Sequence, residues 1–433
     1  MSGRELSIPL WGSLPFLLML LSIAVFPLAA PHFWEKNRNK LLVAAVLGLP
    51  VLVHFLILGA PGEIGRTMLF DYVPFLVLLG ALFTITGGIH LAGDLEAKPA
   101  TNTAFLALGA VLASIMGTTG AAMLLIRPVL KTNKERHFRT HTVLFFIGIV
   151  ANTGGLLTPL GDPPLFMMYL RGAPFTWFLR LAPQWLFVNA ALLALYFFVD
   201  SHFYRREPAE NLARDRASVS PLKLMGSRNL VFLLGVVLSV AFLNEHYIPA
   251  MRTHHALTLL REAVILVLAA FSYVTTHKQV RYFNRYSWAP IVEVAYLFLG
   301  IFVTMVPCLR YLEAHALTLG VRLPAQFYYA TGALSSFLDN TPTAVTFHSL
   351  AQGLGAPASG AVAGIPGALL AAICTGAVFF GSMTYIGNGP NFMVRAVAEH
   401  HEVPMPHFFA YMVKFSMITL LPVFLLNQLL FVR

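Results

Sequence analysis

The chain has 433 residues, of which 57% are hydrophobic and only 11% charged. Soluble domains carry about 25% charged residues. This composition leaves too little polar surface for a water-soluble globule, and it excludes a soluble enzyme, a disordered chain and a nucleic-acid-binding domain. The net charge of +10 fits basic loops on one side of a membrane better than it fits a nucleic-acid partner.

Apolar runs occur at 8–30, 41–59, 70–92, 104–130, 141–170, 176–199, 229–244, 259–275, 289–309, 326–350, 361–394 and 408–431. Several reach the roughly 20 residues a helix needs to cross a bilayer. They are continuous and not alternating, which argues against a β-barrel. The expected fold class is an all-α polytopic membrane protein. The first run is long and no small-residue cleavage motif follows it, so it reads as a retained span. Cys308 and Cys374 lie inside apolar runs, which excludes a disulfide framework and a cysteine metal site.

Basic clusters fall at 35–40, 131–139, 200–228 and 278–285. The positive-inside rule places all four in the cytoplasm. That requires 104–130 to enter and leave on the same side, as a re-entrant hairpin. The loops 245–258 and 310–325 are then outside. A second hairpin at 326–350 would enter from the outside, and the chain would end outside.

Three pairs of segments correspond across the chain. Leu79–Thr84 resembles Leu299–Thr304, Gly117–Ala122 occupies the place of Asp339–Ala344, and Thr158–Pro164 resembles Thr384–Asn391. The offsets are 220, 222 and 226 residues. With the opposite orientations expected for the two halves, this spacing predicts an inverted-topology repeat, a common architecture of secondary transporters.

Four punctuated sites hold the candidate chemistry. Thr158-Pro159-Leu160-Gly161-Asp162-Pro163-Pro164 and Thr384-Tyr385-Ile386-Gly387-Asn388-Gly389-Pro390-Asn391 each put helix breakers at membrane depth. The freed backbone groups must line protein or a wet cavity. Half-helix ends then offer N–H dipoles to anions and carbonyls to cations. A simple proline kink is the plainer alternative, and it is weaker for two repeat-related sites than for one. The hairpin tips, around Gly117-Thr118-Thr119-Gly120 and Asp339-Asn340-Thr341-Pro342, offer hydroxyls and amides that replace water around an ion, or that only cap helices.

Asp162 and Asp339 are the strongest candidates, because an ionisable group inside a span is a functional hypothesis by default. Each could hold a transported cation or take up a proton when the cation leaves; capping a half-helix is the other reading. Asn152, Thr153, Asn388 and Asn391 are neutral candidates for the lining. Glu293, near the start of a span, reads as structural or accessory. Arg127, beside Pro128, reads as snorkelling to the interface. His254, His255, His400 and His401 read as loop histidines. No P-loop, HExxH or GxSxG motif is present.

The succession of a hairpin tip, T-P-L-G-D-P-P, a D-N-T-P tip and T-Y-I-G-N-G-P-N resembles the ion transporter superfamily over roughly residues 70–430. That superfamily groups NhaD-type sodium/proton antiporters, arsenite permeases and citrate/dicarboxylate transporters. The resemblance implies two inverted repeats, each with a re-entrant hairpin and an unwound helix, and a homodimer moving substrate by an elevator-like displacement. By motif, the implied site is Thr118, Thr119, Gly161, Asp162, Asn340, Thr341, Gly387 and Asn388; Thr158 and Thr384, which open the two breaks, are further candidates from the sequence itself. One departure concerns substrate. The dicarboxylate carriers resemble Ser-Asn-Thr at both tips, whereas this chain has Gly-Thr-Thr and Asp-Asn-Thr. An aspartate at a tip repels a di- or tricarboxylate unless a cation screens it.

The expected organisation is therefore N-terminal helices over 1–69, a first repeat over 70–199, a basic cytoplasmic loop over 200–228, connecting helices over 229–288 and a second repeat over 289–433. The expected function is a secondary transporter of the inner membrane, not an enzyme. Sodium(lithium)/proton antiport by alternating access comes first, and citrate or dicarboxylate transport coupled to sodium, protons or a metal ion is the alternative. The expected partners are the bilayer and a small ion or carboxylate, with no cofactor beyond transported Na⁺ or H⁺.

Overall fold

The computed structural model describes residues 8–252, 257, 259–355 and 360–432. His254 and His255 lie outside them. Eight helices among the described residues are long and apolar enough to cross a membrane: Leu10–Pro27, Asn37–Ile57, Pro61–Thr86, Pro99–Met116, Thr140–Leu157, Phe175–Tyr204, Ala289–Thr318 and Phe408–Phe431. Arg228–Phe242 and Gly367–Met383 are shorter apolar helices. The described strands form two two-stranded ribbons and no closed sheet. Helices satisfy their own backbone groups, which lipid demands. Their outer surfaces are apolar, as on Asn37–Ile57, where Leu42, Val46, Leu49 and Val53 are all exposed. The protein is an all-α, multi-pass membrane protein.

The hairpins form as the punctuation required. The first pairs helix Pro99–Met116 with helix Thr118–Thr132, turning at Gly117 with φ +82°. Glycine alone tolerates that left-handed angle without strain. The second pairs Pro324–Ser335 with Asn340–Gly353 around a four-residue turn. The broken helices are Thr140–Ile149 followed by Pro163–Leu170, and Gly367–Phe380 followed by Gly389–His400.

Side-chain contacts gather the four basic clusters on one face. Glu207 accepts from the backbone N–H groups of His137 (2.9 Å) and Phe138 (2.8 Å). Asn284 Nδ2 donates to the carbonyls of Gly87 (2.9 Å) and Ile89 (2.7 Å). Lys40 Nζ lies 2.7 Å from Glu293 Oε1, an ion pair that gives Glu293 a structural partner. On the opposite face Arg310 pairs with Glu63, and Arg171 Nη2 lies 3.9 Å from Asp71. A buried network clamps the foot of the first hairpin to its surroundings. Asp200, at the end of Phe175–Tyr204, takes Arg136 Nη1 at 2.6 Å, His141 Nε2 at 2.8 Å and Asn102 Nδ2 at 3.2 Å.

Two expected boundaries move. The run expected over 70–92 is a helix from Pro61 to Thr86 with a π-turn at Met68–Tyr72. Gly87 and Gly88 end it, and His90–Asp94 then pairs antiparallel with Ser220–Met225, His90 opposite Met225. The loop 200–228 holds that second strand and the helix Ala209–Ser218.

Candidate functional site

The two hairpin tips and the two breaks meet inside the protein. Asp162 is the N-cap residue of Pro163–Leu170, with extended backbone angles of −146° and 143°. Asn388 holds the same position before Gly389–His400, at −150° and 140°. The breaks are built alike. Thr158 Oγ1 donates to the carbonyl of Ser114 (2.5 Å), and Thr384 Oγ1 to the carbonyl of Ser336 (2.5 Å). The same hydroxyls accept from Leu160 N (3.2 Å) and Ile386 N (3.3 Å). Each threonine therefore ties a break to its own hairpin. Gly161 and Gly387 are needed because the chain folds back on itself. A methyl group on Gly161 would overlap the carbonyl oxygen of Gly155, and one on Gly387 would sit 2.6 Å from that of Gly381.

Asp162 is the centre of the arrangement, and it is 1% exposed. Its Oδ1 accepts from Thr118 Oγ1 (2.8 Å) at the first tip and from Asn388 Nδ2 (3.1 Å) at the second break. Its Oδ2 accepts from Asn340 Nδ2 (2.6 Å) at the second tip. Thr118 N also donates to the carbonyl of Gly161 (2.8 Å). All four punctuated sites thus converge on one carboxylate.

A chain of amides continues outward. Asn388 Nδ2 also faces Asn152 Oδ1 and the carbonyl of Ala151, each at 3.2 Å. Asn152 Nδ2 donates to Asn391 Oδ1 (2.7 Å) and to the carbonyl of Ile147 (2.8 Å). Asn391 Nδ2 in turn holds the carbonyls of Gly381 (2.8 Å) and Thr384 (2.9 Å). Asn152 stands one residue removed from Asp162, supporting it through Asn388, and Asn391 stands behind Asn152.

The remaining candidates lie elsewhere. Thr153 Oγ1 turns away and donates to Asn189 Oδ1 (2.8 Å) on the span Phe175–Tyr204. Thr341 Oγ1 donates to Asn340 Oδ1 (3.4 Å), and its side chain also interacts with Asp339. Thr119 is half-buried, one residue further round its helix than Thr118. Asp339 Oδ1 accepts from Thr341 N (2.9 Å), so its carboxylate caps Asn340–Gly353. Among the described residues no hydrogen bond joins it to the cluster, but it lies within electrostatic range of Asp162. No group of three or more His, Cys, Asp or Glu among the described residues is placed to hold a metal ion.

Two supporting residues escape sequence reasoning. Ser114 Oγ donates to the carbonyl of Gly154 (2.5 Å) and accepts from Leu157 N (3.1 Å), bracing the first break. Asn189, a lone amide in an apolar span, braces Thr153. Its polarity at that depth was the available signal.

Chemically, the cluster is a field of donors. Two hydroxyl or amide side chains from tips and one from a break point at a single carboxylate. The N-termini of Thr118–Thr132, Pro163–Leu170, Asn340–Gly353 and Gly389–His400 all begin beside it, and helix N-termini favour negative charge. Inverted repeats, re-entrant hairpins and broken helices meeting at depth define a secondary transporter. Residues 5–432 match the model of a protein family described as "Putative citrate transport". The chain belongs to that family, and with it to the citrate-type part of the ion transporter superfamily. No curated protein matches it.

Proposed function

We propose that the protein carries a citrate-type di- or tricarboxylate across the membrane, together with a cation or proton that neutralises Asp162. The observation that supports this most is the convergence of Thr118, Asn340 and Asn388 on one buried carboxylate at four helix N-termini. Such a field suits a carboxylate, and Asp162 occupies it. A substrate carboxylate takes over those donors only when Asp162 has lost its charge. A proton, a sodium ion or a metal ion that arrives with the substrate does this, and so couples the two.

The test is uptake of labelled citrate into proteoliposomes, with imposed gradients of protons, sodium or magnesium in turn. Gradient-driven uptake that needs one of these cations, and that loses this dependence in Asp162→Asn, is the expected result. No uptake of citrate or of C4 dicarboxylates under any gradient overturns the reading. A second reading, sodium(lithium)/proton antiport, rests on the buried Asp162 carboxylate itself. Collapse of a proton gradient on adding NaCl or LiCl, without any carboxylate, would favour it. From the resemblance we also infer that the protein sits in the plasma (inner) membrane as a homodimer, with its basic face in the cytoplasm, and acts as a transporter and not an enzyme.

A further inference from the structure

Helix Thr118–Thr132 leaves the site and runs to the basic face. Every residue of it is buried except Thr119, Met123, Arg127 and Lys131. The first three are half-buried and the last is exposed. Spaced four apart, they form one continuous stripe. The stripe starts beside the tip residue Thr118 and ends among cations. On its other side the helix is pressed close to its neighbours: a methyl group on Gly120 would lie 2.8 Å from the Thr86 side chain.

Arg127 is the unusual member. Its guanidinium has no hydrogen bond or ion pair among the described residues, and it lies within electrostatic range of a like charge, Arg285. A half-buried arginine is normally paired with an acid. Lys131, in contrast, is within electrostatic range of Asp94. Arg285 is itself held in place. Its backbone has a left-handed φ of +48°, a conformation that non-glycine residues rarely adopt, and its Nη1 lies 2.8 Å from His400 Nε2 on the second broken helix. Strained residues of this kind persist where the surroundings fix them, and they cluster at functional positions.

We infer that Arg127 and Arg285 form an anion station on a seam between the site and the basic face, through which the carboxylates of the substrate enter or leave. The inference rests on the carboxylate reading only for the identity of the anion. The seam and its charge are separate observations.

The test uses Thr119→Cys, Met123→Cys and, as a control, Lys131→Cys, in a Cys308→Ala/Cys374→Ala background. Vesicles with the basic face outward are treated with membrane-impermeant methanethiosulfonates of opposite charge. Met123→Cys is expected to react about tenfold faster with the anionic reagent than with the cationic one, the lower end of what a single-sign cleft achieves. Arg127→Gln should remove that preference and Arg127→Lys should keep it. Reaction at Lys131→Cys alone makes the stripe lipid-facing and overturns the inference. So does equal or faster reaction of Met123→Cys with the cationic reagent. If the anionic preference holds and citrate does not slow labelling, the station stands and the carboxylate reading fails. If citrate is transported and the preference is absent, only the station fails.

Discussion

The two hairpins are copies of one design in different states. In the first, the returning helix Thr118–Thr132 has its half-open stripe from the tip to the basic face. In the second, the returning helix is buried from Asn340 to Ala351 apart from a half-buried Thr346. Their breaks differ in the same sense. The first presents the carboxylate Asp162, and the second presents the amide Asn388 at the matching position. Two chemically similar halves thus hold one buried site, with the returning helix on the basic side less completely covered than its counterpart on the other. An inverted repeat gives a second conformation cheaply, because each half can adopt the arrangement now held by its copy.

The comparison breaks first at Asp162. Asp162→Asn should lower cation-driven transport roughly 100-fold or more, since losing about 3 kcal/mol of attraction for the coupling cation is two decades in an equilibrium constant. Asp339→Asn should lower it only a few-fold, because asparagine caps a helix about as well as aspartate. Initial uptake rates in proteoliposomes check both, and equal losses would place Asp339 in the same working cluster. Next come the close-packed glycines. Gly161→Ala and Gly387→Ala should each destabilise the protein by about 1–3 kcal/mol through overpacking. Gly161→Ala should be the worse, since its methyl group has the less room. Thermal unfolding in detergent measures this, and an undisturbed melting temperature would mean that the breaks relax.

Accessibility sharpens the contrast between the hairpins. Phe347→Cys on the second hairpin should resist water-soluble thiol reagents from both faces under conditions where Met123→Cys reacts. Conditions that reverse the gradient should invert the pattern, and labelling of both at once would indicate a channel-like opening. A cost comparable to that of the glycines, but more local, is expected at the paired threonines. Thr158→Val and Thr384→Val each leave a hairpin carbonyl without its donor, at a cost of about 1–3 kcal/mol. The two losses should agree closely, as their bonds do. Hydrogen exchange at the tips reads them out, and a large difference would deny that the halves are built alike.

Much of this was legible in the sequence because it is written in residues with no other use in a span. Gly117, Pro163, Gly387 and Pro390 mark where the helical path is interrupted, and backbone chemistry alone makes that reading. The near-constant spacing of the motifs then exposes the repeat. Contacts between halves left no such trace. Nothing local says that Asn152 bridges Asn388 and Asn391, or that Asn340 reaches across 178 residues to Asp162. Asp162 and Asp339 look alike along the chain, and only the fold turns one into a hub and the other into a cap. The strand His90–Asp94 was hidden for another reason. Its partner lies in the polar central loop, where no alternating pattern announces it.

The amide chain from Asn391 through Asn152 and Asn388 to Asp162 has a mechanical consequence. It stitches the unwound stretch of one repeat to the unwound stretch of the other with short, buried bonds in series. Sliding one stretch past the other would break several of them at once with no water at hand to replace them. The two breaks therefore behave as a single stiff crosspiece. Any stroke that carries the site across the membrane must move both together, and the bending must occur outside them, where helices meet loops.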